Sequence, residues 1–191
     1  MRDRADSLFD SLHRAICGRV IVFDTETTGM SNDDEICQIA AVEYAHGALT
    51  RSMDEYLIPS CRMNPWAEEA HGLSMEFLRR NGIHPANGLG RFVGFIDGCD
   101  LLVAHNLPFD LRMLKHGCVK YGVHHAWDGV RTCDTLALAR QMHPEFECHA
   151  LWHLIDALGV DGTNSHDALD DARACAEVFF KLVNERNKKD G

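Results

Sequence analysis

Short unbroken apolar runs alternate along this chain with stretches in which apolar residues return every third or fourth position, and the two rhythms lay out its elements. Ala5, Leu8, Phe9, Leu12, Ala15 and Ile16 recur at helical spacing, so residues 4–17 are expected to form an amphipathic helix laid against the domain and ended by Gly18. Val20 to Phe23 are continuously apolar, the pattern of a strand buried on both faces, and a strand is expected over 19–24. Strands over 36–44 and 48–58 follow, and the Ala45-His46-Gly47 turn makes them an antiparallel hairpin. Loop and helix segments are expected around 64–80 and 86–96. Leu101 to Ala104 form a short strand, after which Asn106 in the N-cap region and Pro108 in the first turn open a helix to about Tyr121. A strand near 130–133, helices near 134–142 and 149–158, and a last helix over 168–187 complete the pattern. A three-strand meander followed by two strands alternating with helices indicates an α/β domain with a mixed sheet. Its expected organisation is a packed N-terminal helix over 1–18, one domain over 19–187 and a short tail over 188–191.

Composition narrows the picture. With 191 residues, 46% of them hydrophobic, one core is the default. A formal charge of −10 excludes a protein that coats nucleic acid by bulk electrostatics, so any such substrate must be drawn in locally. Arg79 with Arg80, Arg112 with Lys115 and Lys120, and the closing Arg186, Lys188 and Lys189 are candidates, although solvated surface is the simpler reading of each. The eight cysteines include no C-x-x-C pair and sit mostly inside apolar runs, which suits a reducing compartment. Charges interrupt the N-terminal segment and no apolar run has membrane-spanning length, so a cytoplasmic protein with no membrane partner is expected.

The chemistry starts at Phe23-Asp24-Thr25-Glu26-Thr27-Thr28-Gly29. Strand alternation points Asp24 and Glu26 to one side of the sheet, just before a glycine turn, where they could hold a metal ion or simply form a polar turn. Asp110 and Asp171 are each placed in the first turn of a helix, where the macrodipole favours an acid in any case. His149 and His153 lie one helical turn apart, but no third ligand accompanies them, and core or surface duty explains them better.

Three motifs in order, Phe23 to Gly29, His105-Asn106-Leu107-Pro108-Phe109-Asp110 and His166-Asp167-Ala168-Leu169-Asp170-Asp171-Ala172, resemble those of the DnaQ-like 3′-5′ exonucleases of the DEDDh type. That family includes polymerase proofreading subunits, and the run Thr25 to Met30 is similar to that of the polymerase III epsilon type. The resemblance implies a ribonuclease H-like fold: a mixed five-stranded sheet flanked by helices. It also implies that Asp24, Glu26, Asp110 and Asp171 bind two divalent ions, with Asp24 bridging both, and that His166 is the general base. Oxygen donors suit Mg²⁺ or Mn²⁺, and two such ions can clamp the attacking and leaving oxygens of an in-line phosphoryl displacement. His166 lies five residues before Asp171, so both reach one site only if His166 precedes the helix. Asp167 and Asp170 are rivals for the fourth ligand place, but spacing from His166 favours Asp171, with Asp167 read as the N-cap and Asp170 as a dipole partner or a group behind the ligands.

The expected substrate contacts are Thr25, Thr27, Trp66, His71, Leu73 and Asn106. Thr25 and Thr27 could equally stabilise the turn. His71-Gly72-Leu73 resembles the family's H-G-I segment, which cradles the last base. Trp66 stands where some members carry an acid and could stack on a base or anchor its loop. Asn106, with His105, reads as orienting the helix start. The expected activity is removal of nucleoside 5′-monophosphates from 3′ ends of single-stranded or frayed nucleic acid, with DNA favoured. An RNA-trimming exoribonuclease and a non-catalytic nucleic-acid-binding module are the alternatives, and a DNA polymerase is a candidate partner. Because Asn187 to Gly191 follow closely on the last helix, a stand-alone enzyme or a different partner interface is favoured.

Overall fold

The computed structural model describes residues 12, 15–125 and 127–190. Leu12, Ala15 and Ile16 are helical, Leu12 and Ala15 are buried in the core, and Cys17 is already in a turn; the rest of the expected helix over 4–17 lies outside the described residues.

Five strands form one sheet in the order β3-β2-β1-β4-β5. They are β1 (Arg19–Thr27), β2 (Ile36–Ala45), β3 (Ala48–Tyr56), β4 (Leu101–Ala104) and β5 (Thr132–Asp134). The β1–β2 and β2–β3 pairs are antiparallel, and the β1–β4 and β4–β5 pairs are parallel. His46 (φ 52°) and Gly47 (φ 78°) turn the β2–β3 hairpin, the two successive left-handed residues that a tight turn of matching twist requires.

The largest departure from expectation is in β1, which runs three residues past Asp24. The ladder pairs Asp24 with Ala40 and Glu26 with Gln38, and a bulge falls between Glu26 and Thr27. The strand β2, buried at every residue but Ala45, supplies backbone partners for that extension, so polar side chains there do not end the strand. The acids therefore sit on a paired strand, not in the turn after it.

The helices are α1 (Pro65–His71), α2 (Met75–Asn81), α3 (Pro85–Ile96), α4 (Leu107–Tyr121), α5 (Thr135–Met142), α6 (Leu151–Leu158) and α7 (Ala168–Asp190). The segment expected around 64–80 is two helices, because Gly72 closes α1 in the left-handed region and Ser74 caps α2. The last helix runs three residues beyond its expected end.

Alternation along β1 divides the core. Val20 and Val22 pack with β2, β4 and helices α5, α6 and α7 on one face. Ile21 and Phe23 pack on α3 and α4 on the other, where the Phe23 and Phe92 rings lie 5.3 Å apart. The same period carries Asp24 and Glu26 on to the α7 face, at the carboxyl end of the central strand.

Candidate active site

Three elements bring the acids together. Asp24 and Glu26 come from β1. Asp110 is buried in the first turn of α4, where its Oδ1 accepts a hydrogen bond from Thr25 Oγ1 at 2.7 Å. Asp171 is buried in the first turn of α7; its Oδ1 accepts from the Ser165 amide at 3.0 Å, and its Oδ2 accepts from Asn164 Nδ2. His166 precedes α7, exposed and left-handed at φ 55°. One donor atom each from Glu26, His166 and Asp171 lie within 4.8 Å of one another.

The order within the third motif follows from capping. Asp167 Oδ1 accepts from the amides of Leu169 (3.1 Å) and Asp170 (3.2 Å), so Asp167 caps α7. Asp170 turns toward Arg173. Gln38 on β2 fastens the cap: its Nε2 donates to Asp54 Oδ1 and Asp167 Oδ2, and its Oε1 accepts from the Ala168 amide.

Burial raises the proton affinity of Asp24, Glu26, Asp110 and Asp171. Burial, then repulsion from Asp110, Glu26, Asp171 and Asp167, holds Asp24 well above the ordinary carboxylate range. Burial followed by Asp171 and Asp110 pushes Glu26 up to about 8. Burial lifts Asp110 to about 7 and Asp171 to about 6, the latter against opposing hydrogen bonds from Ser165 and Asn164. Asp24, Glu26 and Asp171 line a cavity of about 670 Å³ whose lining includes no lysine or arginine, and Asp110 lies behind it against Thr25. Four convergent oxygen donors with no protein cation among them fit a hard divalent cation such as Mg²⁺ or Mn²⁺.

The expected substrate contacts divide. Trp66, 80% exposed, lines the cavity with Asn106, Met30 and Phe109. Thr25 and Thr27 also line it, but their hydroxyls are engaged: Thr25 on Asp110, and Thr27 on the Gly29 carbonyl at 2.7 Å. His71 reaches the cavity while its Nδ1 accepts from the Leu73 amide at 3.0 Å and its Nε2 lies 3.3 Å from the Thr27 carbonyl. Leu73 is buried against Cys37 and Leu78 and is not part of the lining. Asn106 makes no side-chain cap; it is left-handed (φ 69°), and its amide donates to Asp134 Oδ1 at 2.9 Å. His105 meets Thr135 Oγ1 at 2.9 Å, and burial lowers it to about 4. His149 Nε2 lies 2.9 Å from the His143 carbonyl, while His153 stands edge-on to Phe146, so each has other company.

Sequence reading missed Gln38, Asn164, Met30 and Phe109 as parts of the site. Gln38 alone left a signal, as a polar residue inside the apolar run Ile36 to Val42.

A family model described as Exonuclease (RNase_T) matches residues 21–179. The DNA polymerase III epsilon subunit of Pasteurella multocida is 34% identical over 176 residues, covering 86% of this chain and 68% of that protein. A PolC-type DNA polymerase III from Caldanaerobacter subterraneus is 30% identical over 167 residues, but this chain spans only 12% of its length. Among solved structures, E. coli exonuclease I in a single-stranded DNA complex superposes with a TM-score of 0.78 at 22% identity, over 90% of this chain and 41% of that one. Exonuclease X, in complex with 5′-overhanging duplex DNA, gives a TM-score of 0.70 at 21% identity, over 88% of this chain and 93% of that one. With the β3-β2-β1-β4-β5 sheet and its flanking helices, the chain belongs to the DnaQ-like 3′-5′ exonucleases of ribonuclease H-like fold.

Proposed function

We propose that this chain is a metal-dependent 3′-5′ exonuclease that hydrolyses the terminal phosphodiester of single-stranded or frayed DNA and releases nucleoside 5′-monophosphates. The observation that carries it is the meeting of Glu26, His166 and Asp171 within 4.8 Å at the edge of a cavity shared with Asp24. Asp24, Glu26, Asp110 and Asp171 would hold two divalent cations, which would supply Lewis acidity at the phosphoryl group. The protein's own part is positional and protolytic. His166 takes the proton from the attacking water; imidazole is the side chain whose ordinary charge change falls near neutrality, and its exposed place before α7 leaves it free to hand that proton to solvent. Asn164 and the Ser165 amide hold Asp171 in orientation, and Thr25 does the same for Asp110. Trp66, Met30 and Phe109 give the cavity an apolar, stackable wall for the terminal base.

The relation to the Pasteurella multocida epsilon subunit supports DNA as polymer and a DNA polymerase as partner. Incubation of 5′-labelled oligonucleotides with Mg²⁺ or Mn²⁺ should give a ladder shortening from the 3′ end. Binding without shortening would make the chain a non-catalytic module, cleavage surviving EDTA would remove the metal, and faster trimming of RNA would transfer the reading to an exoribonuclease.

A further inference from the structure

Most basic side chains near the site are already engaged. Arg112 donates to the Met30 and Ser31 carbonyls and to Asn32 Oδ1. Lys115 pairs with Asp128, Lys120 with Glu35, and Arg80 with Glu76. Farther away, Arg19 and Arg51 share Glu43, Arg91 holds Glu55, and Arg173 holds Asp170. Arg62 and Arg79 differ: both are exposed, neither has a hydrogen-bonded or ion-paired partner among the described residues, and both line one concavity of about 420 Å³.

The backbone under this pair is fixed. The Ser60 amide (3.1 Å), the Cys61 amide (3.0 Å) and the Ser60 hydroxyl (2.7 Å) all donate to Oε1 of buried Glu35, which also receives Lys120, while Tyr121 donates to Oε2. Arg79 follows the buried Leu78 on α2, and Met63 and Met75 pack against the same small cluster. The concavity also adjoins the catalytic cavity: along residues 62–68, Asn64, Trp66 and Ala67 face the acids, whereas Arg62, Met63 and Glu68 face the arginine side.

We propose that the Arg62–Arg79 concavity is an anchoring subsite for a backbone phosphodiester of the polynucleotide, upstream of the 3′ end being cut. The proposal rests on the nuclease reading above. A guanidinium presents planar paired donors that match phosphate oxygens, and two of them on a held backbone lose little freedom on binding. Glu68 in the same concavity offsets one of the two charges, so the attraction is local and salt-sensitive. An acidic chain thereby gains affinity for a strand at one place without a basic face. A substrate too short to reach beyond Trp66 gains nothing from it.

The test compares wild type, R62A/R79A, E68Q and R80A on a deoxydodecanucleotide and on a dinucleotide with Mg²⁺, as KCl is raised. The double variant should raise KM for the dodecanucleotide about tenfold or more, with kcat and the dinucleotide kinetics unchanged. Its plot of log kcat/KM against log salt should be shallower by about 0.7 for each single-strand phosphate that the arginines no longer neutralise. E68Q should lower KM, and R80A, whose charge is spent on Glu76, should leave the slope alone. A double variant with the wild-type salt slope overturns the subsite, as does an equal loss on both substrates, which would give the arginines a structural role. A wild type that cleaves neither substrate overturns the nuclease reading itself.

Discussion

The end of β1 and the segment leading into α7 meet at one cavity but are built in opposite ways. Asp24 and Glu26 lie where β1 runs past the end of β4, and their positions are set by ladder register with β2. His166 stands in a loop, exposed and left-handed, between Ser165, whose amide donates to Asp171, and Asp167, which caps α7. The contrast is between acids fixed by strand pairing and an exposed imidazole that the proposed mechanism employs as its base.

The contrast breaks most sharply at Asp24. Asp24→Asn should abolish Mn²⁺ binding in titration calorimetry and reduce turnover beyond any other single change; unchanged metal affinity would deny it the bridging position. His166→Ala should leave Mn²⁺ affinity and Tm intact while lowering kcat by roughly 10² to 10⁴-fold. Turnover within tenfold of wild type would assign proton removal to another group. Between these extremes, Asn164→Ala frees one oxygen of Asp171, and activity should fall by about 10 to 100-fold, with a weaker metal isotherm.

The pH dependence of the metal-free protein sharpens the same point. Acids raised above their unfolded values favour the protonated folded state, so their contribution is complete at pH below about 4 and is lost as pH climbs through about 6 (Asp171), 7 (Asp110) and 8 (Glu26). In EDTA, Tm should fall by on the order of 10 °C between pH 6 and 8. Mg²⁺ should restore it, and Asp24→Asn should flatten the curve. Glu35 has the opposite sign: although burial opposes it, hydrogen bonds from Lys120, Tyr121 and Ser60 hold it down at about 2, so its contribution is present above the usual carboxylate range and disappears only as pH falls toward 2. Glu35→Ala, which orphans the Ser60 and Cys61 amides, should cost about 1 to 3 kcal/mol in urea unfolding with little change in kcat.

Much of this was legible in the chain. Periodicity located the strands and most helices, since apolar runs and helical spacing report directly on which faces are buried. It placed the end of β1 too early, because Asp24-Thr25-Glu26-Thr27 has the residue types of a turn and only the partner strand keeps it extended. Asn106 has the residue type of a side-chain cap but serves through its backbone, as the αL conformation and the Asp134 contact require. Leu73 is an apolar residue beside a half-buried histidine, and nothing in its local pattern separates a cavity wall from the core behind it. Asn164 and Gln38 act on residues that are distant from them along the chain or held by a loop, relations that no local periodicity encodes.

Gln38 carries one more consequence. By holding both the Asp167 carboxylate and the Ala168 amide, it indexes α7 about its own axis. A slip of one residue would turn Asp171 through about 100° and swing it away from Glu26. The precision of this centre is therefore angular: it depends on the phase of one helix, pinned from the neighbouring strand by a single amide.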